Sequence, residues 1–160
     1  MTLTSAGTVP LPDQLMTLSS DLLGPLEVGQ DEVFQFPQGL FGFPDCSAFV
    51  LLGAGRDGLY WLQSAEFPSL TFLLVDPFPR FPGYVVDLAD GDLGDLAALG
   101  SDELSILAIV TLPGTMEEMP TANLQGPLAL NMRVRTARQI VLDENEFGTR
   151  CEFDLETSPR

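Results

Sequence analysis

Leu59-Tyr60-Trp61-Leu62-Gln63-Ser64, then Leu70-Thr71-Phe72-Leu73-Leu74-Val75 and Asp76-Pro77-Phe78-Pro79-Arg80-Phe81-Pro82, decide the fold class of this chain. The first two stretches are strand-length apolar runs, and the second is rich enough in apolar residues to be buried on both faces. Prolines at positions 77, 79 and 82 follow at once. Each lacks an N–H and has a fixed φ, which neither a helix interior nor a central strand accommodates. Short apolar segments cut by proline and glycine are the mark of a β protein.

Working outward, Val33–Phe36 and Ala48–Leu52 have strand composition upstream, and Tyr84–Val86 resumes a strand after the prolines. Leu104–Leu112 reads as a long central strand. Leu128–Val134 and Gln139–Asp143 read as a hairpin, and Cys151–Leu155 as a closing strand. Asp87–Leu99 is the one helical segment, with Leu93, Leu96, Ala97 and Leu99 near one face and Asp92 or Asp95 as cap. About nine strands at 8–12-residue spacing predict an all-β fold, a small antiparallel β-barrel-like or sandwich domain with one short helix. Residues 1–16 show no sustained period and read as a flexible tail, and residues 17–156 as a single domain.

The 160 residues suffice for one core, and a 45% hydrophobic content excludes a disordered chain despite a net charge of −16. Apolar runs fall well short of the roughly 20 residues a membrane helix needs, and the first residues lack a signal-peptide pattern, so a cytoplasmic location is expected. Lysine and histidine are absent, and seven arginines stand against 23 acids. That balance argues against direct nucleic-acid binding and suits a body that repels polyanions and attracts basic partners, although acidic surfaces also serve solubility alone.

The missing residue types bear on catalysis. Without His or Lys the usual general base, Schiff-base amine and imidazole ligand are lacking, and no P-loop, GxSxG or GxGxxG occurs. Cys46 and Cys151 have no CxxC partner and read as buried thiols. The acidic run Asp87–Asp95 fails the EF-hand pattern, since counting from Asp90 puts Gly94 fifth and Asp95 sixth. No metal, cofactor or catalytic residue is therefore expected. Arg133 and Arg135 would share a strand face, and Phe78, Phe81 and Tyr84 punctuate the proline-rich loop, where core packing is the simpler role.

Two turn-rich stretches are the most distinctive: Phe36-Pro37-Gln38-Gly39-Leu40-Phe41-Gly42-Phe43 and Thr121-Ala122-Asn123-Leu124-Gln125-Gly126-Pro127-Leu128. Gly39, Gly42 and Gly126 permit sharp bends that place apolar side chains. Leu40, Phe41 and Phe43 in the first, with Asn123, Leu124 and Pro127 in the second, are the expected partner-binding residues. Asn123 is also suited to bracing its own loop. A small apolar-ligand carrier of β-barrel type is the alternative, because Phe and Leu can line a cavity as well as fill one.

These stretches, with Leu23–Val28, Leu62-Gln63-Ser64, Phe72 through Asp76-Pro77-Phe78, Tyr84, Ile106–Val110, Asn131 and Gln139-Ile140-Val141-Leu142, resemble in order the flagellar assembly factor FliW family over about residues 18 to 153. The chain departs from the pattern where Arg135-Thr136-Ala137-Arg138 replaces a turn that more often contains glycine, which implies a wider hairpin, and at Leu23, where an aromatic is common. The resemblance implies a non-enzymatic β-barrel-like factor that binds flagellin and the translational repressor CsrA. Export of flagellin would free the factor to antagonise CsrA, coupling flagellin level to its translation.

Overall fold

The computed structural model describes residues 15–143 and 146–155. Eleven strands and one α-helix occur among them: β1 Leu15–Leu18, β2 Leu26–Gly29, β3 Val33–Gln35, β4 Ala48–Gly53, β5 Leu59–Ser64, β6 Thr71–Val75, α1 Asp90–Asp95, β7 Ser105–Thr111, β8 Thr121–Ala122, β9 Leu128–Asn131, β10 Thr136–Gln139 and β11 Cys151–Glu152. β3 to β7 form an antiparallel meander. β7 then pairs with both β8 and β9, β9 with β10, and β10 returns to β3 in parallel, Thr136 opposite Gln35. Seven strands (β3, β4, β5, β6, β7, β9 and β10) thus close a barrel, and closure leaves them no open edge.

Alternation along each strand separates the two faces. Inward, Phe34, Phe49, Leu62, Leu74, Leu107, Leu128, Leu130 and Ala137 pack with Phe36 and Leu40, so every barrel strand contributes to a filled interior. That filling is the arrangement of a side-chain-packed small barrel rather than a carrier's cup. Apolar residues on the outer face are covered by peripheral elements. The β1–β2 ribbon lays Leu18 and Val28 over Val50. The proline-rich loop and the C-terminal segment lay Phe81, Tyr84 and Phe153 over Leu73, Val75 and Val110. Leu96, at the end of α1, packs on Ala129 and Ile140.

Several sequence expectations change. Leu15 and Met16, assigned to the tail, pair with Gly29 and Val28, while residues 1–14 lie outside the described set. Tyr84–Val86 carries no regular secondary structure and is not a sheet strand. The expected helix over Asp87–Leu99 shrinks to six residues, with Ala89 rather than an aspartate at its cap. It ends early because Ala97 turns left-handed at φ 54°, and the Ala98 N–H reaches back to the Leu93 carbonyl at 2.9 Å. Asn131 Nδ2 donates to the Leu96 carbonyl at 2.8 Å and anchors this end on the barrel.

The hairpin turn lies earlier than the expected Arg135-Thr136-Ala137-Arg138, whose last three residues belong to β10. Four residues, Met132–Arg135, separate β9 from β10, and Asn131 Oδ1 accepts the N–H groups of Arg133 and Val134 at 3.0 and 3.3 Å. Arg135 takes φ 58°, the conformation glycine adopts without strain, and its guanidinium lies 4.9 Å from the Phe34 ring centroid. Arg133 and Arg135 therefore belong to the turn and do not share a strand face. Cys46 is buried as expected, but Cys151 is only partly so.

Candidate partner-binding surface

The first turn is a miniature hairpin. Leu40 and Phe43 bridge in both directions, N–H to carbonyl, at 3.2 and 2.7 Å, leaving Phe41-Gly42 as a two-residue tip. Gly42 has φ +86°, close to what the third position of a type II turn requires. Gly39 has φ +67°, and a Cβ there would lie 2.6 Å from the Phe43 carbonyl oxygen and 2.7 Å from Pro44 Cα. Only glycine fits that approach.

This geometry sorts the flagged side chains. Leu40 points into the barrel and is buried, whereas Phe41 at the tip is 55% exposed and Phe43 40%. The Phe43 ring stands edge-on to Phe72 at 5.4 Å, which holds it in place. Beside it, Gly42, Phe43, Pro44, Phe67 and Leu70 line a cleft of about 350 Å³. Phe67 is exposed as well and is fixed by Ser64, whose Oγ accepts the N–H groups of Glu66 and Phe67 at 3.0 and 2.9 Å. Sequence reasoning missed Phe67; a phenylalanine before Pro68 between two strands was the available signal. Cys46 also borders the cleft, and burial, then the Glu66 and Asp45 carboxylates, raise its thiol pKa and keep it a protonated, poor nucleophile.

The second turn is a brace rather than a contact face. Leu124 and Pro127 are buried, which corrects their expected role as presented residues, as it does for Leu40. Asn123 Oδ1 accepts from the Gln125 and Gly126 N–H groups at 3.1 and 2.9 Å, so its side chain is spent on its own loop. Gly126 has no left-handed φ; it is small because a Cβ would sit 3.1 Å from Asn123 Nδ2 and 3.2 Å from Gln139 Nε2. The Tyr84 hydroxyl donates to the Leu124 carbonyl at 2.7 Å, tying the proline-rich loop to this turn, and burial raises the phenol's pKa.

Gln139 joins the two turns. Its Oε1 accepts the Phe41 N–H at 2.9 Å and its Nε2 donates to the Gly126 carbonyl at 2.8 Å. Gln139 stands 98 residues from Phe41 and 13 from Gly126 in sequence, so no local pattern reveals this buried joint. Elsewhere, Arg138 Nη1 binds Asp92 and Asp95 at 2.7 and 2.9 Å, giving the acidic segment an ion-pairing role. Among the described residues no group of three or more His, Cys, Asp or Glu is placed to hold a metal, and no helix is long and apolar enough to cross a membrane.

Together these features define a small closed β-barrel that holds an aromatic turn outward on an acidic body, with a buried second turn bracing it from behind. Residues 17–153 match the model of the FliW protein family. The chain belongs to that family of flagellar assembly factors. It is 38% identical over 136 residues to the flagellar assembly factor FliW of Bdellovibrio bacteriovorus, covering 84% of this chain and 77% of that protein. The Treponema denticola factor of the same name is 31% identical over 138 residues, covering 86% and 93%. A crystal structure of the flagellar assembly factor FliW superposes with a TM-score of 0.80 at 30% identity, covering 89% of this chain and 99% of that one. The resemblance and the all-β barrel expected from sequence are both borne out.

Proposed function

We propose that this chain is a non-enzymatic cytoplasmic factor that binds flagellin and, when flagellin is scarce, the translational repressor CsrA. The observation that carries this reading is the pair of exposed rings, Phe41 and Phe43, on a turn locked at both ends by hydrogen bonds. A preformed aromatic tip loses little conformational entropy on docking, and aromatic anchors dominate interface energetics. A stable contact buries about 1,200–2,000 Å² in total, so partners sharing the tip would exclude one another. Such exclusion is all a titration switch requires.

The net charge of −16 supplies the second half of the mechanism. Held against an RNA-binding repressor, the acidic body disfavours phosphates by like-charge repulsion without covering the RNA site. Screening within about 8–10 Å at physiological ionic strength makes that antagonism salt-sensitive.

A competition experiment tests the reading. Purified flagellin bound to the immobilised chain should be displaced by CsrA in a saturable manner, and CsrA bound to the chain should lose affinity for its RNA. Simultaneous saturation by both partners contradicts the switch. Antagonism of RNA binding that stays undiminished at high salt, with the two proteins still bound, contradicts repulsion.

A further inference from the structure

Val85-Val86-Asp87 and Val141-Leu142-Asp143 share a Val-x-Asp pattern, and the fold sets them along one groove of about 560 Å³. On the first side Val85, Asp87 and Ala89 line the groove, while Tyr84, Val86 and Leu88 turn toward the body, the alternation of an extended chain. On the second side Ile140 and Leu142 are committed to the barrel, their N–H groups donating to the Pro127 and Gln125 carbonyls at 2.8 and 2.9 Å. Successive peptide groups of an extended strand face opposite ways, so the N–H and carbonyl of Val141 face away from that pairing.

The two valines are open, at 73% exposure for Val85 and 55% for Val141. Among the described residues, no N–H of Val85–Leu88 or of Val141 donates to another backbone carbonyl. Unpaired backbone beside a cleft lined by both apolar and acidic side chains is what strand addition uses: main-chain hydrogen bonds give affinity, and alternate side-chain pockets give specificity.

Charge selects the occupant. Asp87 and Asp143 stand two positions beyond their valines, whereas Asp92, also at the groove, is already held by Arg138 at 2.7 Å. A second copy of this chain would bring a further −16 charge to the same acids, which disfavours self-association here. A basic segment meets complementary charge.

We propose that this groove docks an extended segment of a partner protein in which an aliphatic residue is followed two positions later by arginine or lysine. The groove shares no lining residue with the Phe43 cleft, so the site is additional to the aromatic tip and does not depend on the function proposed for it.

The test uses the full chain and a fluorescein-labelled peptide of roughly ten residues in which valine and arginine take turns at every second position, with serine between them, so that each valine has an arginine two positions on. A peptide of the same composition, with its valines and arginines in two blocks kept apart by the serines so that no valine stands two positions before an arginine, controls for net charge. The alternating peptide should bind at least about tenfold more tightly, with amide shifts concentrated at residues 85–89 and 140–143. The double substitution Asp87→Asn, Asp143→Asn should weaken it about tenfold and leave the Phe41 turn resonances in place. Absence of binding, equal affinity for the two peptides, or shifts scattered over the surface overturns the proposal. So do groove shifts that depend on protein concentration without peptide, which would make a second copy the occupant.

Discussion

Replacing Gln139 with leucine probes the joint between the two turns while keeping a side chain of similar size. The substitution removes the acceptor of the Phe41 N–H, 2.9 Å away, and the donor to the Gly126 carbonyl, 2.8 Å away. The carbonyl contact is buried, so its orphaned oxygen costs about 1–3 kcal/mol; the Phe41 contact is only partly buried, and water limits that loss to about 1 kcal/mol. The total destabilisation is about 2–4 kcal/mol. With a urea dependence of about 2 kcal/mol per molar, the unfolding midpoint should fall by about 1–2 M. Trp61, the sole tryptophan, reports the transition by fluorescence. Native-state hydrogen exchange at the Phe41 amide should accelerate by more than any general opening explains, since that N–H has lost its acceptor. A midpoint within about 0.3 M of the parent, with Phe41 exchange unchanged, would refute the assignment of Gln139 as the brace.

Three further outcomes follow from the geometry. Gly39→Ala and Gly42→Ala each force a left-handed residue at about 1–2 kcal/mol, but only at Gly39 would the new Cβ strike backbone, at 2.6 Å, so Gly39→Ala should exceed Gly42→Ala by about 1–3 kcal/mol in urea unfolding; equal losses contradict this. Tyr84 has its pKa raised by burial, so its contribution is intact below the unfolded value near pH 10 and erodes as pH rises past it; Tyr84→Phe should cost about 1 kcal/mol at neutral pH and remove that part of the alkaline loss, and parallel alkaline slopes for the two proteins would contradict it. Arg135→Gly exchanges the stacking on Phe34 for relief of its φ of 58° and should be near neutral, whereas Arg135→Ala keeps the strain and should be about 1 kcal/mol less stable than the glycine variant by thermal unfolding; equal stabilities contradict the strain.

The barrel was legible where burial is two-sided or strictly alternating. β4, β5, β6 and β7 fall within a residue or two of the apolar runs that announce them. Elements set by tertiary pairing were not. β1 and β2 are short and mixed in composition, and they exist because Leu18 and Val28 cover Val50. Tyr84–Val86 has the composition of a strand, but Tyr84 is drawn to the Leu124 carbonyl and the segment never enters the sheet. β10 starts three residues before the apolar Gln139–Asp143 run, because Thr136 must meet Gln35 to close the barrel.

The candidate surface was half legible. Composition marked both turns, yet their roles depend on which way each side chain faces. Gly42 at the third position of the Leu40–Phe43 turn was a readable reason to place Phe41 outside and Leu40 within. The bracing role of the second turn rests on Gln139 and Tyr84, which reach it from 13 and 40 residues away and leave no periodic trace.

The most direct test of the account is a calorimetric titration of flagellin into the native chain and into a Phe41→Ser, Phe43→Ser variant. Two exposed aromatic anchors removed together should weaken binding by about a hundredfold or more, while the variant still unfolds cooperatively at a midpoint lowered mainly by loss of the Phe43 contact with Phe72. A variant that folds normally and binds flagellin as tightly as the parent would contradict it.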